Sequence, residues 1–219
     1  MRSAASFSDQ EQNFLSALAP GLTTALRACQ AATFVGPASA GTVEGPSVLL
    51  FSPQSELIGQ TAQSDAHLRQ LLPTDVGVSP VPAAAYNVAA QLLAVEDGID
   101  AGPAQARSRL AGTQWLSLGA ARLAGHHDHN PATIAVTVEP VRSRDRVDLF
   151  GRANGLTERE REVLHRLTQG LSTRQLAAEM ELSPHTVPDH LKAIFAKTGA
   201  NSRSALVARA MGAEDAIRA

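Results

Sequence analysis

Phe14, Leu15, Leu18, Leu22 and Leu26 recur at helical intervals, and Ser8 and Glu11 stand just ahead of them at capping-box spacing. The pattern predicts a helix over "SDQEQNFLSALAPGLTTALRACQ", with Pro20 as a point of kinking. The stretch that follows, "AATFVGPASAGTVEGP", is small and rich in Gly and Pro, and reads as a linker or mobile loop. From Ser47 the period shortens. "SVLLFS" and "ELIGQT" predict a hairpin, and "AQSDAHLRQLLP" a short helix. "PAAAYNVAAQLLAVEDG" predicts a longer helix, with Pro82 near its first turn and Gly98 past its end. Three strands are expected next: "ARSRLA", "QWLSLGAARL" and "TIAVTVEP", joined by a Gly-Thr turn and by "AGHHDHNPA".

The C-terminal third is helical throughout. "RSRDRVDLFGRANG" places Val147 and Phe150 three apart and ends at Asn154-Gly155, as a connecting helix would. "LTEREREVLHRLTQG" opens on a capping box of Thr157 and Glu160, buries Leu156, Val163, Leu164 and Leu167, and stops at Gly170. "LSTRQLAAEMEL" repeats the logic with Ser172 and Gln175, and turns Leu176, Ala177 and Met180 inward. In "SPHTVPDHLKAIFAKTG" the inward face is Val187, Leu191, Ile194 and Phe195. A last helix, "SRSALVARAM", is capped by Ser202. Short capped helices with a brief turn between the second and third describe a helix-turn-helix.

Composition narrows the classes without choosing among them. The chain has 219 residues, 44% hydrophobic and 18% charged, an ordinary globular balance. Aromatics are only 4%, so the core is expected to be aliphatic. A formal charge of −2 carries no global basic signal, and any nucleic-acid affinity must come from a local patch. Cys29 stands alone, which excludes an internal disulfide framework and a cysteine-built zinc site, and it is expected to be packed. "HHDHN", His126 to Asn130, reads as a solvated loop rather than a metal site. No phosphate-cradling loop, nucleophile elbow or zinc spacing is present, so no enzyme and no cofactor are expected. The opening "MRSAASFSDQEQ" holds no apolar stretch of signal-peptide length, and no transmembrane run appears; a cytoplasmic protein with no membrane partner is expected.

Two strands, helices, then three strands in one antiparallel sheet make an α+β sandwich that resembles a PAS-like sensory domain. The first helix is similar to the closing helix of a GAF domain, which implies a shortened member or an earlier start. From Leu156 to Ala208 the chain resembles the LuxR-type DNA-binding domain almost position for position, through "LTEREREVL", "GLSTRQLAAEMELSPHTV" and "HLKAIFAKTGANSR". The expected domains are 1–30, an N-terminal helix; 46–140, a PAS-like sensory domain; 141–155, a connecting helix; and 156–219, an all-α helix-turn-helix domain. The last resemblance implies a transcriptional regulator that binds double-stranded DNA as a homodimer, with an unidentified small-molecule effector for the PAS-like part. It places base reading at Pro188, Asp189 and Lys192, with His190 beside them. It places backbone holding at Ser183, Thr186, Lys197 and Arg203, adds Val187 and Arg174 to the DNA-binding set, and puts a dimer contact at Ala205, Leu206, Arg209 and Met211.

The chain departs from that family at position 188, where a long polar or basic side chain is usual. Pro188 donates nothing, and Asp189 brings negative charge near phosphates, though a carboxylate can accept from a cytosine amino group. With Ser183 as cap and Pro184 first in the helix, Pro188 falls in the interior, at a cost of roughly 3 kcal/mol or more. With Thr186 as cap, Pro188 falls in the first turn, and Ser183 to Thr186 form a turn of their own. Acidic residues nearly balance the basic ones across the module, so weak non-specific affinity and a shallow salt dependence are expected. The competing class is an interaction protein whose helix-turn-helix acts through dimerisation and no longer reads DNA well.

Overall fold

A computed structural model of the chain describes residues 8–34, 47–71, 80–109, 115–123, 133–183 and 185–212. The chain divides into two compact units, one of Met1–Pro37 with Arg144–Ala219 and the other of Ala38–Ser143.

The second unit is α+β, as the alternating patterns predict. Its strands β1 (Ser47–Phe51), β2 (Leu57–Gln60), β3 (Gln105–Arg109), β4 (Trp115–Arg122) and β5 (Ile134–Pro140) form one sheet in the order β2-β1-β5-β4-β3. Every neighbouring pair is antiparallel. The non-local step is β1 against β5, where Leu49 lies opposite Val136 and Phe51 opposite Ile134. In β1 burial alternates strictly, because successive side chains point to opposite faces of the sheet. Helices α2 (Ala62–Leu71) and α3 (Ala83–Glu96) pack on the sheet and close a core that includes Leu49, Phe51, Leu68, Val88, Leu118, Ile134 and Val136. The Gly112-Thr113 turn and the His126–Asn130 run lie outside the described residues. Among the described residues, no group of three or more His, Cys, Asp or Glu side chains could hold a metal ion, and no helix is long and apolar enough to cross a membrane.

The first unit is helical. Helix α1 (Asp9–Ala32) begins at the expected capping box, with the Ser8 N–H and hydroxyl both donating to Glu11. It continues through Pro20, so the proline removes one ladder bond without ending the helix. No residue of α1 is buried. Cys29 is therefore exposed, against the expectation that it is packed, because nothing among the described residues covers the face it sits on. The expected linker also begins later: Ala31 and Ala32 are helical and Phe34 is 1% exposed, while residues 35–46 lie outside the described ones. Phe34 meets Phe150 of α4 (Ser143–Ala153) edge to face at 5.4 Å, and the Arg146 guanidinium sits 4.9 Å above the Phe34 ring.

Candidate nucleic-acid interface

Helices α5 (Glu158–Thr168), α6 (Thr173–Glu179), α7 (Thr186–Thr198) and α8 (Arg203–Met211) pack around α5, which touches each of the other three. Their starts follow from sequence. The Thr157 hydroxyl accepts from the Glu160 N–H while the Thr157 N–H donates to the Glu160 carboxylate at 2.7 Å. Ser172 and Gln175 make the same reciprocal pair, and Ser202 caps α8 by accepting from the Ala205 N–H. Leu164, Leu167, Leu176, Ile194 and Leu206 fill the space between the helices.

The turn between α6 and α7 is held by Glu181 in the left-handed region at φ 53°, with the Leu182 N–H donating to the Ala177 carbonyl at 2.9 Å. A residue with a Cβ pays roughly 1–2 kcal/mol for that conformation, and a glycine here would have announced the turn in the sequence. After it the Thr186 N–H donates to the Ser183 carbonyl at 2.9 Å, and the His185 N–H to the Ser183 hydroxyl at 3.1 Å. Both bonds lie ahead of α7, which starts at Thr186 with His185 as its N-cap. Pro184 lies outside the described residues. Of the two starts open from the sequence, the later one is observed, with the cap one residue before Thr186. Pro188 is then the third helical residue, where the amide has no intrahelical acceptor to satisfy. Its fold cost disappears, and its chemical cost remains: a ring where a donor could stand.

Pro188, Asp189 and Lys192 are exposed and share one face of α7 by their spacing. His185, also exposed, stands one turn ahead of them; the i, i+3, i+4 spacing marks it, yet the family pattern had not singled it out. His190 and Thr186 are half-buried, and Ser183 and Arg174 are exposed. Val187 is fully buried, so its side chain packs in the module.

The remaining cations are mostly engaged. Lys197 Nζ donates to both Glu160 oxygens, at 2.9 and 2.7 Å, and Glu160 is 5% exposed. Burial pushes the Glu160 carboxyl up, but the Lys197 ammonium and the Thr157 N–H and hydroxyl outweigh it and hold the pKa below 4.5. Arg159 pairs with Glu162 and reaches the Met180 carbonyl, and Arg161 pairs with Asp148. Arg166 lies 3.6 Å from Glu179, Arg203 donates to the Leu171 carbonyl, and Arg209 to the Thr198 carbonyl. Arg174 and Lys192 have no such partner among the described residues. On α8, Leu206 is fully buried in its own module, whereas Ala205 and Arg209 are half-buried and Met211 is 38% exposed.

Capped helices, a tight turn and an exposed first half of the third helix define a helix-turn-helix domain. Residues 154–210 match the family described as "Bacterial regulatory proteins, luxR family", and this C-terminal domain is a LuxR-family helix-turn-helix. The probable HTH-type transcriptional regulator GfsR of Streptomyces halstedii is 44% identical over 57 residues, 26% of this chain and 24% of that protein. The probable transcriptional regulatory protein NarL of Mycobacterium tuberculosis is 45% identical over 56 residues, 26% of each chain. The transcriptional regulatory protein UhpA of Escherichia coli is 41% identical over 59 residues, 27% of this chain and 30% of that one. The likeness thus spans about a quarter to a third of these relatives' own lengths. All three are named as regulators. The crystal structure of the phage VqmA-DPO complex aligns with 77% of this chain and 82% of its own at 19% identity, with a TM-score of 0.33, too low to count as a shared fold.

Proposed function

We propose that this chain is a DNA-binding transcriptional regulator that inserts α7 into the major groove as a homodimer, on half-sites about one helical turn apart. The observation that carries the reading is the late start of α7. It puts Pro188 in the first turn and leaves His185, Pro188, Asp189 and Lys192 together on the exposed face. Lys192 is the donor to a base edge, Asp189 an acceptor from cytosine, and Ser183, Thr186 and Arg174 the contacts to phosphate. His190 flanks them, Arg203 contributes through the α8 start, and Val187 and Lys197 act by holding α7 in place. Ala205, Arg209 and Met211 offer a contact between copies on α8.

The sheet unit is proposed as a PAS-like domain that governs pairing or exposure of this module in response to a small-molecule effector. Support comes from its two-strand, helix, three-strand order closed into one antiparallel sheet. The division into residues 46–140 and 156–219, with 141–155 between and 1–30 ahead, and the cytoplasmic setting belong to the same reading.

One observation favours the competing reading, an interaction protein with weakened DNA recognition: only Arg174 and Lys192 stand unengaged among the module's described basic residues. Genome-wide DNA capture followed by gel shifts with wild type and Pro188→Lys separates the two. Sequence-preferring binding by wild type is expected, with a log–log salt slope of about −1 per module if Arg174 alone meets phosphate. No such binding at low salt by either protein sinks the regulator. Binding by the variant alone favours the interaction protein.

A further inference from the structure

Helix α1 carries a seam that the helix-turn-helix reading leaves unused. Leu15, Leu18, Leu22, Ala25, Cys29 and Ala32 follow a strict three-four alternation, the a and d positions of a heptad repeat. The flanking e and g positions from Gln12 onward are Gln12, Phe14, Ala19, Gly21, Leu26 and Ala28, none of them charged. Pro20 falls at an f position, on the outer side, where water can satisfy the Ser16 carbonyl that it leaves without a donor. Polar residues Asn13, Ser16, Thr23, Thr24 and Arg27 hold that same outer side.

Nothing in the described chain covers the seam. Phe14 is 64% exposed, Leu15 47%, Leu18 43%, Leu22 58% and Leu26 69%. Those side chains alone leave on the order of 500 Å² of apolar surface open, as much as the largest patch on a typical monomer. With the small residues between them, the seam approaches the roughly 800 Å² per partner of a specific interface.

We infer that the α1 seam pairs with the α1 seam of a second copy of this chain. Three features select that occupant. The repeat is the geometry that another helix of the same period fills, and Ala19, Gly21, Ala25 and Ala28 let two such helices approach closely. Charges at e and g ordinarily choose between partners, and their absence removes the like-charge repulsion that would oppose self-pairing. The outer face carries no lysine and a single arginine, Arg27, so it lacks the cationic face of helices that lie on anionic membranes. The position of α1 gives the pairing a consequence. Its C-terminal end is clamped where Phe34 meets Phe150 and Arg146 of α4, within the unit that also holds the helix-turn-helix. Joining two α1 helices therefore joins two such modules.

The proposal deepens the dimeric part of the reading above by naming the surface that pairs, and its test needs no DNA. Sedimentation velocity of the full chain across micromolar concentrations compares wild type with Leu18→Glu/Leu22→Glu, Leu18→Met/Leu22→Met and, on α8, Met211→Glu. The expected result is a dimer for wild type, the Met pair and Met211→Glu, with the Glu pair dissociating at least about a hundredfold more readily. Circular dichroism on each protein should show the same helix content at the highest concentration for all but the Glu pair, which keeps the sheet unit and the helix-turn-helix melt. A monomeric wild type overturns the proposal. So does a dimer that survives the Glu pair, or one that only Met211→Glu breaks, which would leave the dimeric regulator intact with its contact on α8. Vesicle co-sedimentation of wild type that the Glu pair abolishes, on phosphatidylcholine with or without phosphatidylserine, would also overturn it.

Discussion

Helices α1 and α5 open on the same local signal and end in opposite situations. Ser8 with Glu11, and Thr157 with Glu160, are both complete capping boxes ahead of an apolar periodicity. Yet α1 buries nothing over 24 residues, whereas α5 buries Glu160, Val163, Leu164 and Leu167 within 11. Glu11 serves only its cap, while Glu160 serves its cap and also takes the Lys197 ammonium of α7. The difference shows that caps and periodicity start a helix and aim its face. What that face meets is decided elsewhere in the chain.

The sharpest way to break the comparison is to truncate a leucine in each helix. Leu164→Ala should cost about 2–5 kcal/mol in urea unfolding, because a fully buried side chain leaves a cavity. Leu26→Ala, at sub-micromolar concentration, should stay within about 0.5 kcal/mol. Equal losses would mean that α1 is packed against its own chain. Next in size is Glu160→Gln, which leaves Lys197 facing an uncharged amide in a half-buried setting. A loss of about 1–3 kcal/mol is expected, between surface and buried ion pairs. Glu11→Gln should leave unfolding unchanged, since glutamine can occupy the same cap position.

Removing the cap hydroxyls tests the ends themselves. Thr157→Ala should cost about 1 kcal/mol of module stability. Ser8→Ala should only fray the start of α1, seen as faster amide exchange at its first turn without a shift in the unfolding midpoint. The smallest effect is on pH dependence. Burial, together with Arg144, Arg161 and Arg166, holds His165 below 6.5 against the opposing pull of Asp148. The unfolded chain therefore takes up the His165 proton first, and module stability falls as pH drops below 6.5. A second loss follows below 4.5, because the folded Glu160 pKa lies under its unfolded one and the stabilisation is lost as pH falls through it. Hydrogen bonds from Ser8 hold the Glu11 carboxyl below 4.5 and α1 contains no histidine, so α1 should show no step near 6.5 when its amide exchange is followed residue by residue.

Much of the fold was legible along the chain, and the reasons are local. Short runs bounded by turn residues named the five strands, and the Ser8, Thr157, Ser172 and Ser202 caps named four helix starts. The resemblance to the LuxR-type domain pointed to Pro188, Asp189 and Lys192, and the helix-start signals kept open the late start that relieves Pro188. Three features were not legible. Glu181 takes a left-handed turn that its residue type does not advertise. Lys197, a basic residue expected at phosphate, is drawn inward by a carboxylate 37 positions away. Phe34 looked like part of a linker because its partners, Phe150 and Arg146, lie more than a hundred residues on.

The sequence by itself determined where elements begin, where they stop and which side of each is apolar, because those depend on φ/ψ preference and on side chains within a few positions. It also determined the LuxR-type module, whose helices pack on near neighbours in sequence. Only the tertiary structure decided that β1 pairs with β5, that Leu206 faces its own core, and that most basic groups of the module serve carboxylates and carbonyls of their own domain. Those outcomes depend on groups that meet only when distant segments are brought together. The bare face of α1 belongs with them, since its apolar pattern asks for a partner that the described chain does not supply.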